Sequence, residues 1–315
     1  MNFPGLLPMR RLRPLVASLL GAALVACGGG TSQIDAFVAQ HLVAFGDEYS
    51  VITPEGRKYL VNRFGEDDVL DCTLNPVWVQ SLASIYHFVF AECNPENVVA
   101  PKAVMRAEAG ARVADLATQV DTQLAGDGVA DDTLVTVLVG GNDVVDLYLS
   151  YPDVSRSELI AEATRRGQQI SAQVQRLVSA GARVIVATVP DLGKTPYALA
   201  EKAAHTDVDR AELLTDIVTA LNTGMRTTVL NDGRYVGLAL ADEMSQAMVK
   251  SPSSFGVANI KDAACNVALP DCTTATLVSG ADGATWMWAD DLHMGFNAQN
   301  RLSVLAINRA RGNPF

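Results

Sequence analysis

Basic residues are scarce in this chain. Lys and Arg number 24 against 35 Asp and Glu in 315 residues, a net charge of −11. A surface weighted this way repels phosphate backbones, so no nucleic-acid partner is expected, and it gains nothing from an anionic lipid surface. Histidine is rarer still: His41, His87, His205 and His293 are the only four, so chemistry that needs an imidazole has few places to be. There are five cysteines but no Cys-x-x-Cys pair, which removes the usual metal-site spacing; neither a metal nor a cofactor is expected. No internal repeat is visible, and no low-complexity stretch beyond one short glycine run.

Acid is absent from the first 26 residues, where Arg10, Arg11 and Arg13 precede an apolar run from Leu15 to Ala26. That pattern is an export signal, too short and wrongly flanked for a spanning helix. It ends in Leu24-Val25-Ala26-Cys27, which resembles the lipobox of bacterial lipoproteins. The resemblance implies cleavage before Cys27 and lipid chains on it, and Gly28 in the next position implies the outer membrane. Residues 27–35 then form a lipidated flexible tether, and 36–315 a single domain, long enough for one full α/β core. The expected location is the bacterial cell envelope, lipid-anchored, with the body a monomer.

The remaining cysteines are Cys72, Cys93, Cys265 and Cys272. An even number in an exported chain reads as disulfides. Four cysteines allow three pairings, of which proximity in sequence favours Cys72–Cys93 and Cys265–Cys272.

Between these landmarks the chain alternates in a βα rhythm. Strands are predicted at 42–45, 98–105, 133–139, 183–189 and 235–240. Helices are predicted at 76–87, 113–124, 157–180, 211–230 and 298–311. The run at 133–139 is β-branched throughout, as in a strand covered on both faces. The fold class is therefore α/β, a three-layer α/β/α sandwich around a mostly parallel five-stranded sheet. In such sheets the ligand site lies beyond the carboxyl ends of the strands. The unusual residues stand in those turns: Gly46-Asp47-Glu48, Ala109-Gly110-Ala111, Gly140-Gly141-Asn142-Asp143 and, before the last helix, Asp290-Asp291-Leu292-His293.

In this order and spacing, the four segments resemble the blocks of the SGNH, or GDSL, ester hydrolases, over about 250 residues. The stretches Ala180-Gly181-Ala182-Arg183 and Val189-Pro190-Asp191-Leu192-Gly193 resemble that family too. The resemblance implies that the Gly110 amide and the Asn142 side chain are oxyanion donors, that His293 is the general base and that Asp290 orients it. It implies an ester substrate: a lipid, a short acyl ester or an O-acetylated glycan. Two positions depart from the pattern. Met294 follows the histidine where many members have proline, and Glu48 stands where the family has its serine nucleophile.

Glu48 is a poor replacement for that serine. A carboxylate that adds to an ester carbonyl is a far better leaving group than the alkoxide, so the adduct collapses backwards, and forward collapse gives a high-energy mixed anhydride. Three roles stay open. Glu48 and His293 together activate water; or Glu48 pairs with His293 and leaves a pseudoenzyme that binds an acyl, lipid or glycan ligand; or Glu48, Asp143 and His293 take a cation. Ser50, two residues on, is expected to cap a helix rather than to attack. His41, His87 and His205 are expected to be structural or solvated, at a strand entry, a helix end and within a charged helix.

Overall fold

Buried, β-branched runs flanked by amphipathic helices leave few packing solutions, and the chain adopts the expected one. The computed structural model describes residues 37–312. Strands β1 (His41–Gly46), β2 (Ala103–Met105), β3 (Thr133–Leu138), β4 (Arg183–Ala187) and β5 (Val236–Ala239) form one sheet in the order β2-β1-β3-β4-β5. All neighbours are parallel; Phe45 sits opposite Val137, and Val137 opposite Val186.

Alternation along each strand sorts side chains to opposite faces. Leu42, Ala44, Leu134, Leu138 and Ile185 pack with helices α1 (Trp78–Ser84), α7 (Ala241–Lys250) and α8 (Phe296–Ala310). Val43, Phe45, Val135, Val137 and Val186 pack with α2 (Val113–Ala125), α3 (Gly141–Leu149), α4 (Arg156–Ser179) and α6 (Arg210–Thr228). The three layers follow directly. On the second face α4 and α6 meet backbone to backbone: a Cβ on Gly167 would lie 1.9 Å from the Leu221 carbonyl oxygen, and one on Gly224 would lie 2.1 Å from that of Thr164.

Several segments differ from the sequence expectation. Residues 98–102 are not strand; Val98 is held in a turn by the Asn94 side chain, and pairing begins at Ala103. Gly140-Gly141-Asn142-Asp143 opens helix α3 instead of forming only a turn. Helices α5 (Pro196–Ala204) and α7 and a two-stranded sheet of β6 (Asn259–Ala263) and β7 (Trp286–Trp288) lie in stretches given no element. They are short, three to ten residues each, and rest on tertiary packing. His87 lies in a turn beyond the end of α1, and His205 is the C-cap of α5, 3.4 Å from Glu201. Ser50 caps no helix. It is fully buried in a turn and accepts a hydrogen bond from the Trp78 indole.

The chain carries disulfides Cys72–Cys93 and Cys265–Cys272. The signal segment, Cys27 and the whole tether lie outside the described residues. Among the described residues no helix is long and apolar enough to cross a membrane.

Candidate active site

The strand order places β1 between β2 and β3, the switch point at which a parallel sheet leaves room for a crevice beyond the carboxyl end of β1. Gly46 ends β1 with φ +128°, and a Cβ there would lie 1.7 Å from the Leu138 carbonyl oxygen, so only glycine lets β1 approach β3 so closely. Gln119 of α2 bonds both the amide and the carbonyl of Gly46, at 2.9 Å each. The strand end is thereby fixed before the turn that carries Glu48.

The Glu48 carboxylate lies at the meeting point of the other segments. Its Oε2 accepts from the Gly110 amide at 2.8 Å, and the Asn142 Nδ2 donates at 3.1 Å to each of its oxygens. Gly110 has φ +76°, a conformation that suits glycine and aims its N–H into the crevice. The Asn142 amide is oriented by a further bond to the Ala111 carbonyl. His293 Nε2 is 3.1 Å from Glu48 Oε1, and its Nδ1 is 2.8 Å from Asp290 Oδ2. Asp290 also accepts from the backbone amides of Leu292 and His293, so one carboxylate shapes the loop and sets the ring plane. The structure thus brings Glu48, Gly110, Asn142, Asp290 and His293 together.

Charge is strongly biased here. Burial alone would lower the His293 pKa; bonds to Asp290 and Glu48, with their charges, outweigh it and raise the ring to about 10. Burial likewise pushes Glu48 and Asp290 up, and their contacts with His293 bring both below the ordinary carboxylate range. Both ring nitrogens face carboxylates, so the ring donates on both sides and is an imidazolium at neutral pH. Asp47, fully buried next door, is pushed well above the ordinary carboxylate range by burial and by the Glu48 charge.

Asp143 does not join this cluster. It accepts from the Val113 amide at 2.8 Å and pairs with Arg166 at 2.9 Å, which ties α3 to α2 and α4. The cation reading of Glu48, Asp143 and His293 therefore loses one of its ligands. His41 enters β1 at the surface, away from the crevice.

Sequence reasoning passed over several residues that hold the site. Gln119 sits in the apolar stripe of α2, between Leu116 and Val120, and Gln299 lies near the start of α8. Gln299 bonds the Trp78 amide and the Tyr49 carbonyl. A buried amide within a helix's apolar face was the available signal. Tyr49 donates to the Leu292 carbonyl at 2.9 Å and places its ring 5.4 Å from that of His293. The Tyr59 ring lies 6.2 Å from the imidazole, tilted by 49°.

No family model matches the sequence, and no curated protein matches it. Several solved structures are similar to this chain at low identity. A lipase from a goat rumen metagenome is 10% identical with a TM-score of 0.49, covering 87% of this chain and 98% of its own. An acetyl xylan esterase variant from Geobacillus stearothermophilus is 14% identical at 0.47, covering 88% and 96%. A lipolytic G-D-S-L family member from Veillonella parvula is 12% identical at 0.46, covering 85% and 96%. Likenesses this distant concern the path of the backbone and leave the chemistry to the residues themselves.

Proposed function

We propose that this protein is a lipid-anchored envelope protein on an SGNH-type ester-hydrolase scaffold. Its crevice binds an acyl-bearing ligand and is catalytically silent at neutral pH. One observation carries the reading: the Glu48 carboxylate occupies the donors that would otherwise receive a developing oxyanion, while holding His293 protonated. An ester carbonyl would have to displace an anion from Gly110 and Asn142. It would then meet a histidine with no lone pair to take a proton and a carboxylate whose adduct falls apart backwards. Loss of the serine alone removes most of such an enzyme's rate, about a millionfold where a serine protease has been dissected.

The test is hydrolysis of p-nitrophenyl acetate and p-nitrophenyl laurate by residues 28–315 as wild type, Glu48→Ser and Glu48→Gln. The expected result is silence in the wild type and in Glu48→Gln, with activity gained in Glu48→Ser as the donors are freed and His293 returns to its basic form. Wild-type hydrolysis that disappears in Glu48→Gln would replace this reading with water activation by Glu48. Silence of Glu48→Ser would remove the hydrolase scaffold from it.

A further inference from the structure

Two donors converge on a single oxygen, Glu48 Oε2: the Gly110 amide at 2.8 Å and Asn142 Nδ2 at 3.1 Å. They belong to different elements. Gly110 stands in the loop before α2, and Asn142 in the first turn of α3. The two starts must be held in register, because a displacement of about 1 Å carries a hydrogen bond out of range.

Packing does not supply that register at Gly110. The residue is exposed, and a Cβ built on it would meet nothing within 4 Å. Polar ties hold the loop instead. The Ala111 amide donates to the Glu108 carbonyl at 3.2 Å, Asn142 reaches the Ala111 carbonyl at 3.1 Å, and Asp143 takes the Val113 amide at 2.8 Å. These act on the residues after Gly110. Arg112, the N-cap residue of α2, reaches back to Gly110 itself: its Nη1 donates to the Gly110 carbonyl at 3.2 Å.

The remainder of the same guanidinium forks onto Asp146 of α3, with Nε 2.5 Å from Oδ2 and Nη2 3.2 Å from Oδ1. Asp146 lies one turn beyond Asn142 on that helix. One planar group therefore spans the loop that carries one donor and the helix that carries the other. A lysine ammonium lacks the rigid fork needed to grip a carboxylate in two places and a carbonyl in a third. The Arg112 and Asp146 side chains are 48% and 41% exposed, and a pair so open to water contributes little to stability. Its effect is on position.

We propose that Arg112 is a positioning residue: through Asp146 it sets the distance between the Gly110 amide and the Asn142 carboxamide, so that both meet on one oxygen. In the native chain that oxygen belongs to Glu48. Its extension to the oxyanion of a Glu48→Ser variant rests on the hydrolase-scaffold reading above.

The experiment follows hydrogen exchange at the Gly110 amide and the Asn142 side chain by NMR in wild type, Arg112→Ala, Arg112→Lys and Asp146→Asn, with circular dichroism melts of each. In Arg112→Ala the Gly110 amide should exchange about tenfold faster, since its bond to Glu48 opens more often, while the melting temperature stays the same. Arg112→Lys and Asp146→Asn should fall between. In the Glu48→Ser background, Arg112→Ala should lower kcat on p-nitrophenyl acetate about tenfold and leave KM alone, as expected for a tie that acts on a transition-state donor. Unchanged Gly110 exchange in Arg112→Ala overturns the proposal. So does faster exchange spread along α2 and α3 with a lower melting temperature, which would make the pair an ordinary tie between helices. If Glu48→Ser is silent, the hydrolase scaffold falls and Gly110 exchange still decides the role of Arg112. If Glu48→Ser is active and Arg112→Ala changes neither exchange nor kcat, only the positioning role falls.

Discussion

At the scale of residues, the decisive contact is a single ion cluster, Asp290–His293–Glu48, closed by Gly110 and Asn142. Its titration has a definite direction. The His293 pKa is raised above its ordinary value of 6.5, so the stability it contributes is full below that pH and is lost as pH rises toward about 10. Glu48 and Asp290 are lowered, so their contribution is present above the ordinary carboxylate range and disappears as pH falls through their depressed values. The cluster is therefore intact across neutral pH. In proton NMR, the His293 ring signals should stay flat from about pH 5 to 8 and move only on the alkaline side. Glu48→Gln removes one anion and should bring the midpoint down by more than about one unit, since each unit is ~1.4 kcal/mol of differential interaction. A wild-type midpoint near 6.5 would contradict the imidazolium. The glycine and asparagine of this cluster were legible in the sequence as turn residues after strands. That Glu48 turns onto them was not, because side-chain direction depends on the packing of β1 against α2.

At the scale of elements, the α4–α6 pair holds the second layer together through reciprocal glycines. A glycine inside an exposed helix is ordinarily about 1 kcal/mol worse than alanine. At Gly167 the sign should reverse, because the new methyl would enter the Leu221 carbonyl. Urea unfolding of Gly167→Ala should show a loss of about 1–3 kcal/mol or more, the usual range for overpacking against a surface that cannot yield. A stabilised variant would show that the two helices can separate freely. The long helices and four of the strands were readable from periodicity within a few residues. The segments that were missed, α3, α5, α7 and the β6–β7 pair, are short. Pro196 at the start of α5 and the side-chain cap from Thr195 were the visible signs of one of them.

At the scale of the whole molecule, the chain enters the domain at the amino end of the parallel strands, just before His41, and the crevice lies at the carboxyl end. The Cys72–Cys93 and Cys265–Cys272 disulfides tie down the long loops at the crevice end, where Lys58 and Asn62 also act. The proposed function puts a lipid anchor on Cys27, which precedes the described body in sequence. Cys27→Ser should therefore abolish palmitate labelling and release the protein from the membrane fraction, while the melting temperature of the purified body stays the same. Unchanged membrane association would remove the lipid anchor from the proposal.

The sequence by itself determined the layered α/β architecture, because strand and helix periodicities and the location of glycine turns are local properties that only one kind of sheet can accommodate. It also narrowed the site to a few residues in post-strand turns and singled out Glu48 among them. Only the tertiary structure decided what Glu48 does. A carboxylate two methylenes beyond its backbone can face water, a histidine or backbone amides. The choice is made by how closely β1 meets β3 and by where Gly110, Asn142 and His293 arrive from distant parts of the chain.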